Sequence, residues 1–364
     1  MGRPVHLRQP GIDALKGLAC VLIVWHHLAF YGPMSDVLYP HAPALTDWLY
    51  DYGRMAVQVF LVIGGFLAAR SLAPQGQATY ASPGRLMARR YRRLVLPYLV
   101  AVAASVVVAA LVRPWFFHPS VPSEPTLFQL LAHGLLLQDV LDLEGLSAGV
   151  WYVAIDFQLF AMSVLMFSLS RRLERCWPGL RAWPVAPGLV LTVMVCAASL
   201  FLFNNDSRWD MAGVYFFGAY SLGMLAFWAC GSERRASWLM CMGVLAGPAL
   251  LLDFRGRLLV ALAVAFGLVL LPHCALALGA QRWPQRQLDR LGKMSYSIFL
   301  IHFPVCLLVN ALVNHFWPTQ LLANGIGLFM AFGLSLLAGR ALYLGVEARR
   351  TAWFNGWKAG GVLP

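Results

Sequence analysis

The chain has 364 residues, 60% of them hydrophobic and only 12% charged, with a formal net charge of +12. Soluble domains carry roughly 25% charged residues, so half that density leaves most of this chain without a water-facing surface and excludes an ordinary soluble domain. In a soluble protein the basic excess would point to nucleic acid. Here it points to short loops held on one side of a membrane, and no nucleic-acid partner is expected.

A helix rises about 1.5 Å per residue, so roughly 20 apolar residues cross a hydrocarbon layer of ~30 Å. Runs of that kind occupy 12–31, 53–73, 93–113, 149–170, 185–204, 210–230, 236–253, 257–275, 294–314 and 321–343. The expected fold is therefore an all-α integral membrane protein, with about ten transmembrane helices in one bundle and a single domain over 1–364. The first run follows Arg3 and Arg8 and ends in Trp25, His26 and His27 with no small-residue cleavage site, so it is expected to stay as a helix. Segment 126–143 is apolar but broken by His133, Gln138 and Asp139, and is expected as a helix in a loop or at the interface. No fused soluble domain is expected.

Charge tests this partition. With the N-terminus in the cytoplasm, the inner loops receive Arg85, Arg89, Arg90, Arg92 and Arg93, then Arg171, Arg172, Arg175 and Arg181, then Arg234 and Arg235. They also receive Arg282, Arg286, Arg290 and Lys293, and finally Arg349, Arg350 and Lys358. The outer loops receive most of the carboxylates, among them Asp36, Asp47, Asp51, Glu124, Asp139 and Asp210. Lys and Arg in short loops stay inside, so both termini are expected in the cytoplasm. Seven cysteines make no close pair and no metal-type spacing, so neither a disulfide framework nor a metal site is expected.

Ionisable side chains inside a bilayer are costly and tend to face a cavity. Lys16 and His27 are eleven residues apart, close to three turns, and share one face of the first span. They read either as a polar stripe or as a snorkelling lysine and a core histidine. The run RLMARRYRRLVLPY (85–98) reads either as the inside signal with lipid contact or as a site for a phosphate-rich donor. Arg89 and Arg93 are four apart and suit two-point capture of an anion. In WYVAIDFQLF (151–160), Asp156 is an intramembrane carboxylate, for which a histidine is the natural partner. SYSIFLIHFP (295–304) carries Tyr296, Ser297 and His302, with His302 read as structural or cavity-lining more readily than catalytic.

The order of these segments resembles membrane acyltransferase family three, the bacterial glycan O-acetylases. IDALKGLACVLIVWHH (12–27) resembles the family's opening, an arginine and then a histidine, with Lys16 and His27 at those places. VQVFLVIGGFL (57–67), RRYRRLVLPY (89–98), WYVAIDFQLF (151–160), LGKMSYSIFLIHFPV (291–305) and YLGVEARR (343–350) resemble its later elements, in order. Three positions depart from the pattern: Lys16 keeps the arginine's charge without its fork, Gln58 stands for an acidic residue, and Gly64 for a serine.

The resemblance implies transfer of an acyl group, usually acetyl, from cytoplasmic acyl-coenzyme A to a hydroxyl of a carbohydrate acceptor, in the bacterial inner membrane. His27 would be general base or acyl carrier, and Asp156 would orient it. Arg89, Arg90, Arg93 and Lys16 would hold the donor. Tyr296, Ser297, His302 and Trp151 would face the substrate. No metal is required, and a separate periplasmic enzyme would complete the pathway where one is needed. A transporter or flippase remains open on the same polar residues, as does an assembly subunit.

Overall fold

The computed structural model describes residues 10–271 and 283–349, and within them the chain is helical with no strand. In chain order the helices are α1 (Pro10–Phe30), α2 (Pro33–Leu38), α3 (Pro43–Tyr52), α4 (Ala56–Leu72), α5 (Pro83–Val112), α6 (Leu127–Leu135) and α7 (Val150–Cys176). They continue with α8 (Pro187–Ala198), α9 (Gly213–Cys230), α10 (Arg235–Leu252), α11 (Gly256–Leu270), α12 (Trp283–Phe316) and α13 (Leu321–Leu342).

Among the described residues eight helical stretches are long and apolar enough to cross a membrane, and two shorter apolar helices, Pro187–Phe203 and Gly256–Leu270, occupy the remaining two apolar runs. Arg282, Arg350, Lys358, Cys274 and the end of the run 257–275 lie outside the described residues.

Local chemistry sets the ends. Ser82 caps α5 by accepting from the Arg85 amide, with Pro83 in the first turn where a missing N–H costs nothing. Thr126 caps α6 in the same way, and Leu136 closes it in the left-handed conformation. Helices α5 and α12 begin well before their apolar runs, because Arg, Lys, Gln and Leu are good helix formers in water as well as in lipid. Segment 126–143 holds the short helix α6 and no span. Helices α2 and α3, between the first two apolar runs, each start at a proline and were not legible from hydropathy.

Depth alternates along the helices that line the interior. Asp13 and Lys16 of α1, Arg90 and Arg93 of α5, and Lys293 and Tyr296 of α12 gather at one end of the bundle. His26 and His27 of α1, Gln58 of α4, Trp151 of α7 and Arg257 of α11 gather toward the other. We call these the basic end and the far end. At the far end Arg255 is buried and holds three elements together, donating to the carbonyls of Leu200 and Ala249 and to Asn204 Oδ1 at 2.7 Å.

Glycine brings α4 and α9 into backbone contact. A Cβ added at Gly65 would lie 1.7 Å from the Tyr220 carbonyl oxygen, and one at Gly223 would lie 1.9 Å from that of Val62. Such close approach is how helices pack where no water drives them together. Gly65→Ala or Gly223→Ala should cost about 1–3 kcal/mol and lower the melting temperature of the detergent-solubilised protein. Gly243→Ala, where an added Cβ meets nothing within 4 Å, should melt as the parent does.

Candidate functional site

Two cavities enter the bundle from its two ends. The far cavity has a volume of about 880 Å³ and the basic cavity about 570 Å³. Phe299 lines both.

The far cavity holds His27. Its Nδ1 lies 2.6 Å from Nε2 of His302, and the two rings are inclined by only 9° with centroids 4.7 Å apart. That is an end-on hydrogen bond in nearly one plane, because a face-to-face stack would not bring single ring nitrogens so close. The protons can be assigned from the partners. His302 Nδ1 is 2.7 Å from the Phe299 carbonyl oxygen, which only accepts, so that nitrogen carries a hydrogen. His302 Nε2 is then the acceptor, and His27 Nδ1 donates to it. His27 Nε2 is left as the unprotonated nitrogen of a residue that lines the cavity. His26 follows the same logic, with its Nδ1 donating to the Leu49 carbonyl at 2.9 Å.

The rest of the far cavity is rich in rings and charges. Trp151, Tyr50, Phe216 and Tyr215 line it beside Asp139, Asp142, Asp210, Arg54, Arg255 and Arg257. Asp139 sits in the loop after α6 and accepts from Gln138 Nε2 at 2.7 Å. Burial pushes its carboxyl above the usual range. His133 anchors that loop: its Nε2 accepts from the Leu146 amide at 3.1 Å and its Nδ1 donates to the Gln129 carbonyl at 2.8 Å. Burial holds its pKa below the usual value, as a neutral structural histidine requires.

The basic cavity is lined by four cations, Lys16, Arg90, Arg93 and Lys293, and three carboxylates, Asp13, Asp156 and Glu347. Arg90 Nη2 donates to both oxygens of Asp156, at 2.9 and 2.6 Å, and its guanidinium sits 5.3 Å over the Phe160 ring. Arg90 Nε is buried without a hydrogen-bond partner. Lys16 Nζ is 3.7 Å from Asp13. Tyr296 lines the cavity and donates to the Leu94 carbonyl at 2.8 Å. Gly64 lies on this wall, where an added Cβ would stand 3.1 Å from Tyr220 Cε2 and 4.0 Å from Asp156 Oδ1.

Several residues therefore sit where the sequence reading did not put them. Asp156 does not orient His27. Both of its oxygens are taken by Arg90 in the basic cavity, and His302 holds His27 instead. The physical reason is depth together with charge. Asp156 is six residues into α7 from its far end, whereas His27 is three residues from the far end of α1. A half-buried guanidinium also demands a carboxylate more strongly than a neutral imidazole does. Arg89 lines neither cavity and lies on the exposed face of α5, so the pair facing inward is Arg90 and Arg93. Ser297 lines neither cavity, and its hydroxyl donates to Glu347 Oε2 at 2.7 Å. His302 is fully buried behind His27, while Trp151 lines the far cavity and Lys16 the basic one. Asp13 and Glu347 also line the basic cavity, and each is a carboxylate at a span terminus, the signal that marks a polar interior. Among the described residues no group of three or more His, Cys, Asp or Glu side chains is placed to hold a metal ion.

A family model described as an acyltransferase domain, that of acyltransferase family 3, matches residues 9–340. The chain belongs to that family. The match and the apolar helices together support a multi-pass membrane acyltransferase. The chain is also similar to the "Regulator of hypoxia-inducible factor 1" of Caenorhabditis elegans, 23% identical over 207 residues that cover 52% of this chain and 41% of the worm protein. It thus spans less than half the length of that curated relative. No solved structure matches the chain.

The Arg90–Asp156 pair makes a direct prediction. Removing one partner of this partly buried pair leaves a charge without full compensation, so Arg90→Ala should cost about 1–3 kcal/mol. Arg90→Met combined with Asp156→Leu should recover most of that loss, read by chemical denaturation in detergent.

Proposed function

We propose that the protein moves an acyl group, acetyl being the first candidate, from acyl-coenzyme A at the basic end to a hydroxyl of a carbohydrate acceptor in the far cavity. The observation that carries the reading is the imidazole chain, which runs from the Phe299 carbonyl through His302 to an unprotonated His27 Nε2 at the edge of a large polar cavity. A neutral base oriented from behind suits removal of a hydroxyl proton. The basic end is the cytoplasmic end by the rule for Lys and Arg, which fits a multi-pass protein of the bacterial inner membrane, in contact with its lipids and with both termini in the cytoplasm.

In this reading Arg93, Lys16 and Lys293 attract the phosphates of coenzyme A into the basic cavity. Arg90, held by Asp156, lines the same wall. Asp156 acts on the donor side by fixing Arg90. The acceptor sugar lies in the far cavity, where Trp151 and its aromatic neighbours offer ring faces and the Asp and Arg side chains offer hydrogen bonds to hydroxyls. His27 Nε2 takes the hydroxyl proton as the oxygen bonds to the thioester carbon. The carbon–sulfur bond then breaks, and the departing thiolate takes that proton from the imidazolium, giving an ester and coenzyme A. His302 shares the transient positive charge through its bond to His27. No metal is needed for these steps. A separate periplasmic enzyme that acts on the acylated glycan is a compatible partner.

Purified protein in nanodiscs, given acetyl-coenzyme A and a glycan acceptor, should release thiol and form an ester. His27→Ala should lower that turnover by about 10²–10⁴-fold without changing membrane insertion, and full turnover would sink the mechanism. His302→Ala should lower kcat in the same direction, since it leaves the His27 tautomer undirected. Arg93→Ala should raise KM for the thioester more than it changes kcat; an unchanged donor dependence would remove the anion site from the basic cavity. Movement of glycan across sealed vesicles with no thiol released would favour a transporter instead.

A further inference from the structure

Where the two cavities share Phe299, three aromatic rings meet, one from each of three helices. Phe60 comes from α4, Tyr152 from the first turn of α7, and Phe299 from α12. Ring centroids lie 5.4 Å apart for Tyr152 and Phe299, 6.2 Å for Phe60 and Tyr152, and 6.4 Å for Phe60 and Phe299. Each spacing is that of rings in direct contact, so the triangle encloses no passage. Phe60 and Tyr152 line the basic cavity, and Phe299 lines both. On the far side, the Phe299 ring stands 6.0 Å from that of His302.

The wall is built, not accidental. Gly149, the residue before α7, has φ +79°, and a Cβ there would lie 2.6 Å from Phe299 Cζ. Only glycine both takes that backbone conformation and leaves room for the ring tip. Phe299 itself is almost fully buried.

Resting on the acyl-transfer reading above, the geometry points to Phe60, Tyr152 and Phe299 as a ring gate that selects the donor's acyl group by width and charge. The acyl group leads the thioester out of the basic cavity, so it must part these rings before the carbonyl carbon comes near His27. A straight, uncharged chain such as acetyl needs the smallest ring displacement. A branched chain needs a wider opening, and a well-packed core resists it. A chain ending in a carboxylate must shed its water against three ring faces that offer no cationic partner, a cost that apolar surroundings make large. Chain length is a weaker criterion, because beyond the rings the far cavity is roomy.

Two measurements test this. In the first, thiol release and ester formation are compared for acetyl-, isobutyryl- and succinyl-coenzyme A. The parent should prefer acetyl over isobutyryl by about a hundredfold in kcat/KM, as a close-fitting pocket does, and over succinyl by more. Phe60→Ala and Phe299→Ala should each lower both preferences at least about tenfold while acetyl is still transferred. Equal use of the three donors by the parent, or preferences unchanged in a variant that still transfers acetyl, overturns the selection.

The second measurement does not depend on catalysis. Gln58→Cys places a thiol on the far cavity wall. In vesicles of known orientation, a charged, membrane-impermeant thiol reagent added at the basic end should not label it beyond the background of the protein without Gln58→Cys. It should label it once Phe299→Ala is added. Labelling with Phe299 in place, or none after its removal, overturns the barrier. A parent that transfers no acyl group from any thioester overturns the acyl-transfer reading and the selection with it, while the labelling still decides whether the rings separate the cavities.

Discussion

Helices α1 and α12 run side by side in the same direction in a nearly constant register, and the candidate chemistry depends on it. Cys20 meets the Ser295 carbonyl and His27 meets His302, and beyond the end of α1 the Met34 amide of α2 meets Asn310. The two α1 partners are seven residues apart, as are their partners on α12, and two helical turns is the period of parallel helices that wind gently about one another. Glycine makes the approach possible at the basic end, where a Cβ on Gly292 would stand 1.8 Å from the Asp13 carbonyl oxygen and one on Gly17 2.3 Å from that of Leu288. A slip of one residue along this seam would turn His302 by about 100° and part the imidazoles. The contact between two residues 275 positions apart in sequence is thus a property of helix packing as much as of the histidines.

The interior manages its ionisable groups in two ways. Arg90 is paired with Asp156, and Lys16 lies near Asp13. The imidazoles at the far cavity form a chain that is hydrogen-bonded while neutral, with His27 Nε2 left open to the cavity. Both devices avoid an unpaired charge in a medium that penalises one heavily. They have different consequences. An ion pair fixes geometry, which suits a donor-binding wall. A neutral imidazole chain accepts and returns a proton with little rearrangement, which suits a base. The separation of the two devices along the bundle is what the proposed reaction needs, since donor and acceptor arrive from opposite ends.

Much of this architecture was legible in the sequence. The ten apolar runs each hold a helix, because the length and hydropathy needed to cross lipid are local properties of the chain. The polar residues that line the cavities were legible where they interrupt an apolar run, as His27, Lys16, Arg93 and Asp156 do. Their partners were not. Pairing Asp156 with His27 treated the two as near in depth, when Asp156 faces the basic cavity and a guanidinium there is the stronger claimant. Pairing Arg89 with Arg93 as the two-point anion site rested on spacing alone. Which arginine turns inward is decided by the buried stripe of Leu94, Tyr98 and Val102 on the same helix, in which Arg90 is the earlier member at four-residue spacing. Phe299 carried no signal of its own, because a phenylalanine in an apolar span looks like core until its neighbours on other helices are known.

Phe299 joins the two halves of the proposed site through a single residue. Its carbonyl anchors His302 and so sets the proton pattern of the imidazole chain, while its ring closes the wall between the cavities. Carbonyl and side chain have different freedom. The carbonyl belongs to the backbone of α12 and is held by the seam with α1, whereas the ring turns about its own side-chain bonds. A ring that swings aside for an acyl group therefore leaves the anchor of the base where it was. The passage opens without the imidazoles losing their alignment, which is the condition for a thioester to meet a base already in place.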